Sequence, residues 1–123
     1  MQTRRTLVTL ALGALIGGAA WGQEPIEIIV PAGAGSAPDI IARIVGDELS
    51  TRLKRPVVVN NRPGAGGIIA VMAARSASNP DTLLLAQAAV VTVTPLTYRA
   101  AKYDLETDME PVVSVADTPM MFV

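Results

Sequence analysis

Ile26-Glu27-Ile28-Ile29-Val30-Pro31-Ala32-Gly33-Ala34-Gly35-Ser36-Ala37-Pro38-Asp39-Ile40-Ile41 decides how this chain folds. Its first five residues are almost continuously apolar, the pattern of a strand covered on both faces, as in a parallel sheet. Pro31 to Ala37 is a loop of small residues. Ser36-x-x-Asp39 then has capping-box spacing, with Asp in place of Glu or Gln, and Pro38 is tolerated in a first helical turn. From there Ile41, Val45, Leu49 and Leu53 recur every four residues, with Ile40 and Ile44 widening the stripe. Glu48 and Arg52 are placed for a weak helical pair. The unit reads strand, loop, helix.

The same grammar recurs downstream. Val57-Val58-Val59 is an apolar run leading into Asn60-Asn61-Arg62-Pro63-Gly64-Ala65-Gly66-Gly67, and Ile68 to Ser76 fits a shorter helix. Asn79-Pro80-Asp81 is a turn before the third run, Leu83-Leu84-Leu85, which opens into Ala86-Gln87-Ala88-Ala89. Strand, helix, strand, helix, strand is the βαβαβ order, and right-handed crossovers are expected to place both helices on one face. Val90 to Tyr98 fits either a short helix or an extended piece. Lys102 to Glu110 reads as polar loop, and Pro111 to Ala116 as a further strand. The fold class is α/β, a mostly parallel sheet flanked by helices.

The first 22 residues read as an export leader. Arg4 and Arg5 precede an apolar, small-residue run that ends at the A-x-A-like site Ala20-Trp21-Gly22. The uncharged stretch is at the short edge of a membrane span and holds Gly13, Gly17, Gly18 and Gly22, which favours a cleaved signal over a retained anchor. Arg4-Arg5 also permits twin-arginine export, although paired arginines are commoner in ordinary basic leaders, so the general secretory route is expected. The remainder, residues 23–123, is one small domain carrying eight basic and eleven acidic side chains, a net charge of −3. It has no basic patch interleaved with aromatics, so nucleic acid is not an expected partner. No cysteine or histidine occurs, which excludes metal sites built on those ligands, thiol chemistry and a Ser-His triad. No metal, cofactor or oligomer is implied.

The loops suit anion capture. Small-residue turns at the ends of parallel strands leave backbone N–H groups and positive helix ends around one crevice. Gly33-Ala34-Gly35 begins like a dinucleotide fingerprint, yet Pro38 occupies the third glycine position and no acidic residue ends the second strand. Arg62 could clamp a carboxylate, but loop shaping through a local carbonyl or acid is the preferred reading. Asp39 reads as a cap before it reads as a general base. Asn60 and Asn61 read as turn formers. Gln87 fits ligand contact and loop packing equally. With no nucleophile–base pair in view, a binding protein is expected and an enzyme is not.

Residue by residue, these stretches resemble the tripartite tricarboxylate transporter substrate-binding family, the Bug-type periplasmic receptors. The match runs through Ile28-Ile29-Val30-Pro31, Asp39 to Arg43, Pro56 to Gly67 and Pro80 to Leu85, then Tyr103-Asp104, Asp108, Pro111-Val112 and Val115-Ala116. Asn61-Arg62-Pro63-Gly64-Ala65-Gly66-Gly67 is its most specific part. The resemblance implies a periplasmic, two-lobed receptor that closes on a small organic carboxylate and delivers it to a membrane permease. It implies ligand contacts from Gly33, Ala34, Gly35, Ser36 and Ala37, from Gly64, Ala65 and Gly66, and from Gln87 and Ala88. The chain departs from the pattern at Gly35-Ser36-Ala37-Pro38, where glycines followed by hydroxyl residues are usual. It departs again at the apolar Ala86-Gln87-Ala88-Ala89 and at the shortened Asp81-Thr82 connection. Members of the family run to about 300 residues, beyond the single-domain range. The expectation is therefore an incomplete first lobe, residues 23–123, that binds weakly or not at all by itself. A Rossmann-like nucleotide-binding enzyme domain and a non-functional truncated remnant are the alternatives.

Overall fold

The computed structural model describes residues 24–117. The expected export leader and the apolar run Met120 to Val123 lie outside the described residues. Within them, β1 (Ile26–Val30), α1 (Ala37–Leu53), β2 (Val57–Asn61), α2 (Ile68–Arg75) and β3 (Thr82–Leu84) follow in order, with a single 3-10 turn, Ala65–Gly67, leading into α2. Three short helices come next: α3 (Ala88–Thr92), α4 (Thr94–Thr97) and α5 (Leu105–Asp108). The three strands are parallel in the order β2-β1-β3, with Ile28 beside Val59 on one side and Leu83 on the other.

This order corrects the expected placement of the helices. β2 and β3 flank β1 on opposite sides, so two crossovers of the same hand run in opposite directions and drop their helices on opposite faces. Side chains show the result. Ile28 and Val30 of β1 bury with Ala42 of α1, against Leu49, Val57, Val59, Leu83 and Leu85. Leu84, pointing the other way, packs on the cluster of Ile68 and Val71 from α2 with Val90 and Tyr103. β1 is covered on both faces, which is why its apolar run barely alternates: Ile28, Ile29 and Val30 are all buried.

The seam of α1 also differs from its apolar stripe. Its buried residues are Asp39, Ala42 and Gly46, while Ile40 and Ile44 are 51% and 65% exposed. A Cβ built at Gly46 would lie 3.2 Å from Val57 Cγ1, so the helix approaches the sheet too closely for large side chains on that line. The Glu48–Arg52 pair forms at 2.6 Å on the exposed surface, where such pairs contribute little.

Beyond β3 the chain departs further from its pattern. Val90 to Thr97 is largely helical, within α3 and α4, and Tyr98 is extended. The expected polar loop contains α5, capped by Asp104 Oδ1 accepting from the Glu106 amide and tied to α2 by an Arg75–Asp108 ion pair at 3.3 Å. Pro111 to Ala116, expected as a strand, is exposed and joins no ladder among the described residues, with Val112 80% exposed. Propensity supplies the extended backbone, but a strand also needs a neighbouring edge.

Tyr103 closes the α2 side. Its ring is buried and its hydroxyl donates to the Val90 carbonyl at 2.7 Å; burial raises its pKa. Tyr103→Phe should cost about 1 kcal/mol, the usual net worth of a hydrogen bond whose acceptor stays buried. Urea titration of both chains checks this, and a variant as stable as the parent would show that the Val90 carbonyl finds another partner.

Candidate functional site

In an open α/β sheet the crevice lies outside the carboxyl ends of the strands, where the strand order reverses. Here that point falls between β1 and β3. A cavity of about 360 Å³ occupies it. Pro31 borders it from the end of β1, Gly64, Gly66 and Gly67 from the loop after β2, and Gln87 from the end of β3. The far wall is Ala89, Val90 and Val93, with Thr94, Thr97 and Tyr98 of the α4 region. None of these side chains carries a charge.

The second loop is shaped by left-handed backbone. Gly64, Ala65, Gly66 and Gly67 all have positive φ, and Gly67, at +92°, is pressed against α3: a Cβ there would lie 2.7 Å from both Val90 Cγ atoms. Gly66 lies under the Tyr98 ring, and its carbonyl accepts from the buried Thr94 hydroxyl at 2.9 Å. The loop is thus held from below by α3 and α4. Among the described residues, the amides of Gly64, Ala65 and Gly66 donate to no protein acceptor.

The first loop is held differently. Ser36 occupies the N-cap of α1 without capping through its side chain; its hydroxyl donates to the Gly33 carbonyl at 2.6 Å. Asp39 reaches back instead to the amide of Gly35, one residue earlier than a capping box would place the contact, at 2.8 Å. Asn61, expected as a turn former, ends β2 and donates its side-chain amide to the Ala32 carbonyl at 3.1 Å and to Asp39 Oδ1 at 3.0 Å. Asn60 is likewise in β2 and donates to Glu27 across the sheet at 2.7 Å. Arg62 bonds the Asn60 side-chain oxygen at 3.2 Å, while its amide donates to the Val30 carbonyl at 2.8 Å; the guanidinium holds local shape.

Of the residues singled out from the sequence, Gly64, Gly66 and Gln87 come together around the one cavity. Gly33, Ala34, Gly35, Ser36 and Ala37 follow Pro31 without lining it, and Ala65 is exposed beside it. Ala88 faces a separate, apolar groove of about 1270 Å³ between β3 and the segment Met109 to Asp117. A residue after Gln87 that starts a helix turns its side chain away from its neighbour's, so the two part company. Sequence reasoning missed Thr94, Thr97 and Tyr98. Their only signal was the cluster of hydroxyl residues around Pro95, which does not show that α3 and α4 fold back over the second loop.

Among the described residues, no group of three or more acidic side chains converges as a metal site, and no helix is long and apolar enough to cross a membrane. Fold and cavity together define a doubly wound α/β lobe whose neutral pocket lies at the strand ends. Residues 41–123 match the family described as the tripartite tricarboxylate transporter family receptor, and the chain belongs to that family. A UPF0065 protein of Bordetella bronchiseptica is 45% identical over 81% of this chain and 30% of its own length. Protein BugT of Bordetella pertussis is 34% identical over 95% of this chain and 36% of its own. A solved structure of a periplasmic transporter shares 42% identity over 53% of this chain and 22% of that one, with a TM-score of 0.45. The chain spans about a third of the length of these two curated relatives.

Proposed function

We propose that this chain forms one jaw of a periplasmic receptor that captures a small organic carboxylate and passes it to a membrane permease. The single observation that carries the reading is the cavity at the β1/β3 switch point, walled by neutral side chains and bordered by loops with backbone amides that donate to no acceptor among the described residues. Amides orient a carboxylate without requiring that a second full charge be desolvated, which suits reversible capture. No lining side chain forms a nucleophile–base pair, which supports binding over catalysis. Export through the leader, the ligand-contact roles of Gly33 to Ala37, Gly64 to Gly66, Gln87 and Ala88, and the second lobe that would close the trap belong to the same reading.

Titration of the isotopically labelled chain with succinate, citrate and a nucleotide, followed by NMR, tests it. One jaw alone should bind weakly, with a Kd on the order of 1 mM or above, and the shifts should concentrate at Gly33 to Ser36 and Gly64 to Gly67. Silence towards both carboxylates beside a clear response to the nucleotide would overturn the proposal.

A further inference from the structure

Among the described residues Asp39 is the one buried acidic side chain, at 2% exposure, and both of its carboxylate oxygens are engaged. Oδ2 accepts from the Gly35 amide at 2.8 Å and from Arg43 Nε at 3.1 Å. Oδ1 accepts from Asn61 Nδ2 at 3.0 Å and lies 3.0 Å from the second nitrogen of the Arg43 fork. The same Arg43 nitrogen closes the triangle on Asn61 Oδ1 at 3.5 Å, and Asn61 also holds the Ala32 carbonyl. The first loop is therefore gripped at both ends, at Ala32 by the last residue of β2 and at Gly35 by the first turn of α1. Between the grips, the amides of Gly33 and Ala34 have no protein acceptor among the described residues.

We infer that Asp39, Arg43 and Asn61 form a clasp that positions the first loop against the end of β2, with the Gly33 and Ala34 amides left free as donors. This rests on the receptor reading only for what those donors would meet. The clasp has two chemical consequences. Asp39, buried, ion-paired and with both oxygens engaged, is not placed to serve as a base or to bind a cationic ligand. Its charge is also matched by Arg43, so it does not repel an anion beside the loop. Because Asn61 directly precedes the second loop, the clasp joins both loops to one rigid strand end. Asp39 is accordingly a positioning residue.

The test is amide exchange measured beside succinate titration. In Asp39→Asn, exchange at Gly35 should accelerate about tenfold or more while Ile28 to Val30 of β1 stay protected, and the succinate-induced shifts should weaken. Unchanged exchange at Gly35 with β1 still protected overturns the clasp. Should Asp39→Asn lose protection throughout, Asn61→Ala decides: it leaves the Asp39–Gly35 bond intact and frees Ala32. Weakened succinate response with Gly35 still protected supports the clasp, and an unchanged response overturns it. If the parent chain ignores succinate and citrate alike, exchange at Gly35 alone decides the clasp, and the receptor reading fails only where that silence stands beside a clear response to the nucleotide.

Discussion

Gly67→Ala should abolish most of the stability of this chain. Gly67 has φ +92°, where an L-residue costs about 1–2 kcal/mol, and the new Cβ would lie 2.7 Å from two carbons of Val90. Val90 is itself buried in the α2 cluster with Ile68, Val71 and Tyr103, so it has nowhere to retreat. Overpacking of that kind adds about 1–3 kcal/mol, and a total near 3–4 kcal/mol approaches what a small single core supplies. Thermal unfolding should lose its cooperative transition or fall far below the parent. The double variant Gly67→Ala/Val90→Ala should recover part of the loss, because it relieves the contact and leaves the backbone cost. Gly64→Ala separates the same two costs: it too strains the backbone, at φ +124°, but its Cβ meets the Cδ1 end of Ile69 at 2.8 Å, a tip that can rotate away. A Gly67→Ala chain melting within about 2 °C of the parent would contradict this account of the second loop.

Asp39→Ala should be the second severe change, lowering the melting midpoint by roughly 10 °C. It leaves the Gly35 amide and one hydrogen of the Asn61 amide without an acceptor, and the Arg43 guanidinium without its partner. The same group makes the parent acid-sensitive. Arg43 donates to it, as do the Gly35 amide and Asn61, and together they hold its pKa at about 2, from an ordinary 3.8. Since the folded-state value is the lower one, the charged carboxylate stabilises the fold fully above about pH 4. That contribution is lost as pH falls towards 2. Urea titrations at pH 5 and pH 2.5 should show the gap between parent and variant narrowing at the lower pH. A gap of equal size at both would mean that Asp39 holds the loop through shape alone.

Much of this architecture was legible in residue order. The runs at Ile26 to Val30 and Val57 to Val59, the helix beginning at the Ser36-Ala37-Pro38 boundary, and the helix from Ile68 are found where periodicity and turn chemistry place them. Errors arose wherever a neighbour decided the outcome. Ile40 and Ile44 lie on the apolar stripe but face out, because Gly46 and Ala42 set how closely α1 meets the sheet. Asn61 carries turn chemistry, yet pairing with Val30 keeps it in β2, and its side chain is engaged by Asp39 and Ala32. Pro111 to Ala116 has strand composition and joins no ladder among the described residues. Of the cavity, the Gly64-Ala65-Gly66-Gly67 border was visible as a motif and the Thr94-Thr97-Tyr98 wall was not.

By itself, residue order determined an α/β chain of three apolar strands, each opening into a small-residue loop, and it excluded cysteine and histidine chemistry. These properties are local: they depend on side-chain period, on glycine and proline positions, and on which atoms the residue types possess. Tertiary structure alone decided that β1 lies between β2 and β3, that the two helices therefore cover opposite faces, and that a cavity opens where the strand order reverses. It also decided that the first loop is held by the Asp39–Arg43–Asn61 clasp and the second by Val90 and Tyr98. Apart from the links of Asp39 to Gly35 and Arg43, each four positions away, such contacts join residues from 18 to 32 positions apart, and no local period records them, because their energy exists only once the sheet has brought the partners together.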